Sequence, residues 1–149
     1  MWSTEYSAQT DAAPEAVWAV LRDLHSGPRL SDRSDAFELH GPFAAGTEIS
    51  VTPQGQDTFR AVIIELDEPR VYADRTEFGG LVLTFWHTLA ALPGGGTKVT
   101  HGLQIDGPSA DQAGPELEPR ISADFPVAMQ DLFAAARERG LARPLRYCA

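Results

Sequence analysis

Cysteine is almost missing from this chain. Cys148 is the only one among 149 residues, so no internal disulfide can form, which fits a reducing compartment. No apolar run approaches the roughly 20 residues that span a bilayer, and no signal-peptide pattern opens the chain. A cytoplasmic protein with no membrane contact is expected. Basic residues are scarce: 12 Lys and Arg stand against 21 Asp and Glu, a formal charge of −9. That balance argues against nucleic acid as a partner through a general field. Metal-ligand spacings such as HxxxH or CxxC do not occur, and a metal is not expected. No GxSxG elbow frames a serine, which removes support for a nucleophilic triad. The glycine-rich stretch at 93–96 leads into a strand rather than a helix, so it is a turn and not a phosphate cradle. No cofactor is expected.

What is present is amphipathic. The longest patterned stretch is a helix predicted over 117–139, in which Ile121, Phe125, Ala128, Met129, Leu132, Phe133 and Ala136 recur at three- and four-residue steps. Pro126 lacks an N–H and clashes with the preceding turn, so a kink is expected near 122–125. Arg137 and Arg139 suit a last turn, and Gly140 a helix stop. Residues 1–140 should form one domain and 141–149 a C-terminal tail, with 108–116 a loop or frayed helix start.

At the other end, residues 2–10 alternate as a strand. Asp11 can cap a helix over 14–24 that carries Pro14 in its first turn and Val17, Val20, Leu21 and Leu24 as its stripe, with Trp18 beside them. One short helical turn is expected to follow Gly27-Pro28. His25 and His40 read as surface residues near loops. From there to about residue 107 the chain alternates as about six strands punctuated by turns. Consecutive strands with short joins argue antiparallel pairing with helices on one face, an α+β architecture.

Several pieces in this order resemble the START-like SRPBCC superfamily, in particular its bacterial polyketide cyclase/dehydrase and lipid-transport-like branch. They are DAAPEAVWAVLRDL, GPFAAGTEISV, AVIIELDEPRVYADRTEF and LTFWHTLAALPGGGTKVTHGLQIDGP, ahead of the long helix. The resemblance covers about residues 4–139. It departs at Gly27-Pro28, where many relatives carry Trp-Pro. It implies a helix-grip fold: a curved antiparallel sheet of about six or seven strands around the C-terminal helix, with one or two short helices after the first strand. It also implies a cavity between sheet and helix that receives a hydrophobic small molecule.

Two strands hold the candidate chemistry. Leu81, Leu83, Phe85, His87 and Leu89 share one face by alternation, as do Val99, His101, Leu103 and Ile105. A turn at 92–96 sets Leu89 opposite Val99, His87 opposite His101 and Phe85 opposite Leu103. The two imidazoles can then pack against each other, contact a ligand, or move protons as catalytic groups. On the strand at 70–78, Tyr72, Asp74, Thr76 and Phe78 share one face and Val71, Ala73, Arg75 and Glu77 the other. Neither face is cleanly apolar, which fits a strand near a sheet end, or a pocket wall with sparse polar groups supplied by Tyr72, or by Arg75 with Glu77. Trp18, Phe85, Leu103, Phe125 and Met129 would complete the ligand wall. Trp86 should point outward. The functions in play are a cofactor-independent polyketide cyclase, aromatase or dehydratase, a non-catalytic carrier or sensor of a lipid-like ligand, and an interaction protein with a filled cavity. Oligomeric state is not legible in this pattern.

Overall fold

The computed structural model describes residues 1–27 and 34–148, with 140–148 described as backbone alone. The strands are β1 (Trp2–Thr10), β2 (Ala36–Leu39), β3 (Glu48–Thr52), β4 (Phe59–Asp67), β5 (Val71–Phe78), β6 (Leu81–Ala91) and β7 (Thr97–Asp106). The helices are α1 (Pro14–Ser26), α2 (Ala110–Ser122) and α3 (Phe125–Cys148). All seven strands join one sheet in the order β1-β7-β6-β5-β4-β3-β2, every pairing antiparallel. This is the helix-grip architecture expected, a curved sheet closed on one side by helices. The short turn of helix expected after Gly27 falls on 28–33, outside the described residues. No described helix is long and apolar enough to cross a membrane.

The C-terminal region differs from the expected single helix over 117–139. It is two helices, broken at Ala123 and Asp124 just before Pro126. Proline near a helix start loses nothing, because the first N–H groups have no intrahelical partner there. The predicted kink is thus a full break. α2 begins at Ala110 and tolerates Pro115 and Pro119 within it. α3 runs past Gly140 to Cys148, so Gly140 does not stop it. Arg137 and Arg139 therefore lie inside a helix, where they pair with Asp11 (3.6 Å) and Asp23 (2.8 Å). Asp11 does not cap α1 either. Ala13 occupies that position, and no side chain caps the helix.

Alternation fixes which residues meet the helices. Phe125, Met129, Leu132, Phe133 and Ala136 are buried on α3, whereas Ala128 is exposed. Met129, Leu132, Phe133 and Ala136 join Val17, Trp18, Val20 and Leu21 of α1 over Ile49, Val51, Ala61, Ile63, Leu89 and Val99 of the sheet. Phe125 instead joins Leu81, Leu83, Leu103, Ile105 and Ala110 in a second cluster. At about 25 cal/mol per Å² of apolar area removed from water, these clusters are the main force holding helices to sheet.

β5 is not near a sheet end. It is the middle strand of the seven. Its mixed faces follow from polar groups on the inner side: Tyr72, Asp74 and Thr76 are buried there, and Thr76 donates to the carbonyl of Arg60 at 2.6 Å.

Candidate functional site

Strand register assembles the site. His87 and His101 are direct partners across β6 and β7, with Leu89 opposite Val99 and Phe85 opposite Leu103. The five-residue turn that sets this register is closed by Leu92 N–H donating to the Gly96 carbonyl at 2.8 Å. The same rung continues in both directions. Tyr6 of β1 pairs with His101, and Tyr72 of β5 pairs with His87. One line across the inner face therefore reads Tyr6, His101, His87, Tyr72.

This rung separates the two apolar clusters. Val99 and Leu89 lie on one side of the imidazoles, and Leu83, Leu103 and Ile105 on the other. Tyr6, Phe85, His87 and His101 keep accessible surface, while Val99, Leu103, Leu83 and Leu89 beside them are buried. The four partly accessible residues form a contiguous patch on the inner face of β1, β6 and β7.

The rings are in contact. His87 and His101 stack with centroids 4.0 Å apart, and Phe125 stacks on the other side of His101 at 3.8 Å. A third imidazole joins them. His25, expected at the surface, is 3% exposed and lies 4.1 Å from the ring of Tyr72 and 6.1 Å from that of His87. Its Nδ1–H donates to the Leu21 carbonyl at 2.8 Å. The signal was present in the sequence: His25 follows Leu21 by four residues and Trp18 by seven, which extends the apolar stripe of α1.

Burial sets the protonation of all three. Desolvation pushes His25 down to about 4, against a raising contribution from its backbone hydrogen bond. Desolvation pushes His101 down to about 3, with repulsion from His25 added, and moves His87 well below its ordinary value, with repulsion from His101 and His25 added. At pH 7 each is neutral and offers one donor and one acceptor nitrogen. Next to them the Tyr72 hydroxyl donates to Asp74 Oδ2 at 2.8 Å, in a buried pair. Desolvation raises the Asp74 carboxyl to about 6, partly offset by that hydrogen bond, and burial beside Asp74 raises the Tyr72 phenol.

Two buried nitrogens, Trp18 Nε1 and His87 Nδ1, have no hydrogen-bond partner among the described residues. Leaving such a group unpaired costs on the order of 1–3 kcal/mol. Trp18 belongs to the cluster between α1 and the sheet, and His87 to the polar rung beside it.

Of the sequence candidates, His87, His101, Tyr72, Phe85, Leu103, Phe125, Met129 and Trp18 face the inner side. Arg75 and Glu77 do not. Both are exposed on the outer face, because the pleat that turns Tyr72 and Asp74 inward turns them out. Trp86 is outward, as expected, but half-buried against Gly102. Two open grooves lie away from this site, one where the end of β1 meets Arg137 and one around the turn from β5 to β6. Neither contains any of the imidazoles. Among the described residues no three His, Cys, Asp or Glu side chains are arranged to hold a metal ion.

A family profile described as polyketide cyclase / dehydrase and lipid transport matches residues 1–143. The chain belongs to this family. The membership agrees with the SRPBCC resemblance and with the helix-grip fold. No curated protein sequence matches the chain. Solved structures share the fold at low identity. The ZhuI aromatase/cyclase from Streptomyces sp. R1128 aligns with a TM-score of 0.69 at 16% identity, covering 93% of this chain and 94% of that one. A point mutant of Thalictrum flavum norcoclaurine synthase, in complex with a transition-state analogue, aligns at 0.67 and 12% identity, covering 93% and 96%. Ara h 8.0201 aligns at 0.58 and 19% identity, covering 95% and 98%. In this polyketide cyclase/dehydrase family member, the inner wall carries three neutral imidazoles and a buried phenol–carboxyl pair at its polar band.

Proposed function

We propose that the protein binds a hydrophobic, carbonyl-bearing small molecule against the inner face of the sheet and, without a cofactor, cyclises, aromatises or dehydrates a polyketide-like substrate there. The observation that carries this reading is convergence. His25, His87, His101, Tyr72 and Asp74 come from α1, β5, β6 and β7 to one band between two apolar clusters. A carrier of lipid-like ligands needs apolar wall and little else. A catalyst needs a few polar groups aimed at one place.

Trp18, Phe125 and Met129 supply apolar wall beside Phe85 and Leu103. Such a wall can hold a flexible chain folded on itself, and positioning of this kind removes much of the barrier to ring closure. His87 and His101, neutral at working pH, donate hydrogen bonds to a carbonyl oxygen and stabilise charge developing on it.

Native mass spectrometry of the purified protein tests binding, through a co-purified hydrophobic molecule. Incubation with a synthetic poly-β-ketone thioester mimic tests turnover. Acceleration of ring closure that falls in His87→Phe and His101→Phe supports the catalytic reading. Retention of the mimic without any change in its rate of closure would favour the carrier.

A further inference from the structure

We infer that Asp74 is the acid–base group of this site, taking a proton from the carbon next to a ligand carbonyl, while His87 and His101 serve as neutral hydrogen-bond donors to that carbonyl's oxygen. The inference rests on the binding reading above and names the step and the class of substrate, an enolisable hydrophobic ketone.

Placement comes first. Asp74 is on the inner face of β5, directly opposite Phe85 of β6 and Ile63 of β4. Phe85 belongs to the partly accessible patch with His87 and His101. Asp74 is the diagonal neighbour of His87, because Tyr72, two residues before it, pairs with His87. Diagonal neighbours on one face stand about 7–8 Å apart at the backbone, a gap that a carbonyl and its adjacent carbon can bridge. The Tyr72 hydroxyl fixes one carboxyl oxygen, Oδ2, at 2.8 Å. The other oxygen, Oδ1, is the basic atom of the proposal.

Chemistry separates Asp74 from the imidazoles. A base works best with a pKa near the working pH. The three imidazoles are pushed far below that range, so they bind a proton weakly. The carboxyl is moved towards it by its apolar neighbours. A purely structural role explains the residue poorly. A buried carboxylate is costly unless paired, and the group that favours the ionised form here is a single phenol.

The step balances without a co-reactant. The C–H bond next to the carbonyl breaks and its proton goes to Asp74 Oδ1. The electron pair moves onto the carbonyl oxygen, which accepts hydrogen bonds from imidazole N–H groups without receiving their protons. The enolate carbon then bonds to a second carbonyl carbon of the same ligand. The oxygen released from that double bond takes the proton back from Asp74. The product is a cyclic β-hydroxy ketone, and the carboxylate is restored.

Proton exchange tests this apart from cyclisation. The probe is 1-tetralone in D₂O near neutral pD, with binding followed by saturation-transfer NMR and loss of the α-proton signal by ¹H NMR. Wild-type protein should bind it and accelerate exchange over buffer. Asp74→Asn, which can still accept from Tyr72, should bind it with the acceleration reduced by about 10²–10⁴-fold. Tyr72→Phe keeps the carboxyl but removes the bond that favours its charge, so its exchange profile should move to higher pH. Exchange in Asp74→Asn as fast as in wild type would overturn the assignment. Binding to wild type with no acceleration would overturn it too, while leaving the binding reading intact. No binding at millimolar concentrations would count against the binding reading and this inference together.

Discussion

The indole of Trp86 lies over the backbone of Gly102, its partner across β6 and β7, in the space that a β-carbon would need. The next pair on these strands, facing the other way, is His87 and His101. A one-residue slip between the strands would turn both imidazoles outward. The fit of tryptophan over glycine on the outer face therefore supports the histidine pair on the inner face. Gly102→Ala forces the ring aside and should cost about 1–3 kcal/mol, read as a lower urea midpoint at unchanged slope. A wild-type midpoint would mean that the indole moves away freely.

Stability should fall on mild acidification. His25 and His101 are held at about 4 and about 3 in the folded chain, and His87 is also far below the ordinary value of 6.5. Below pH 6.5 the unfolded chain takes up these protons and the folded chain does not. Their contribution is present above pH 6.5 and is lost as the pH falls towards 4. Asp74 acts in the opposite sense. Its carboxyl moves from 3.8 to about 6 on folding, so its contribution is present below 3.8 and lost as the pH rises through 6. Three imidazoles outweigh one carboxyl, and the urea midpoint at pH 5 should lie below that at pH 7. An equal or higher midpoint at pH 5 would show that the imidazoles are solvated.

Asp74→Asn should stabilise the protein at high pH. The shift of the carboxyl from 3.8 to about 6 corresponds to a penalty on the order of 3 kcal/mol for holding it ionised. An amide has nearly the same shape, accepts from Tyr72 and carries no charge. The variant should exceed wild type at pH 8 by up to that amount, with the gap closing as the pH falls through 6 and gone below 3.8, where the carboxyl is protonated in both states. Lower stability of the variant at pH 8 would mean that more than Tyr72 holds the carboxylate.

Alternation and turn chemistry made the sheet readable. The turn at 92–96 fixed the register of β6 and β7, and with it the pairing of His87 and His101. Period-two reasoning fails where the ladder is irregular. Alternation from Ala61 and Ile63 would send Glu65 inward, but the register shift between Ile63 and Glu65 turns Glu65 out and brings Leu66 in, opposite Tyr72. The site was half legible. Alternation offers Tyr72, or Arg75 with Glu77, as pocket polars from opposite faces of β5, and only burial in the fold decides that Tyr72 is the inward one. His25 reads as surface because it stands near a helix end, although its spacing from Trp18 and Leu21 continues the apolar stripe of α1. In the fold it packs against Tyr72 and Phe37. The division of the C-terminal helix at Asp124 depends on Pro126 finding a helix start, a choice that an apolar stripe running through both halves conceals.

His101→Phe separates packing from recognition. His101 is stacked between His87, at 4.0 Å and 23°, and Phe125, at 3.8 Å and 21°. A phenyl ring keeps a flat partner in that stack and removes both nitrogens. The neutral imidazole is already partly desolvated, so losing its polarity has little to cost the fold, and the stability change should stay within about 1.5 kcal/mol. His101→Ala empties the stack and should cost about 2–5 kcal/mol. If the imidazole only packs, both variants bind 1-tetralone in proportion to how well they fold, and the phenyl variant binds like wild type. If it donates to the ligand oxygen, the phenyl variant loses about 1–3 kcal/mol of affinity in an NMR titration while its urea midpoint stays near wild type. Affinity and stability then move separately, which a purely structural histidine cannot produce.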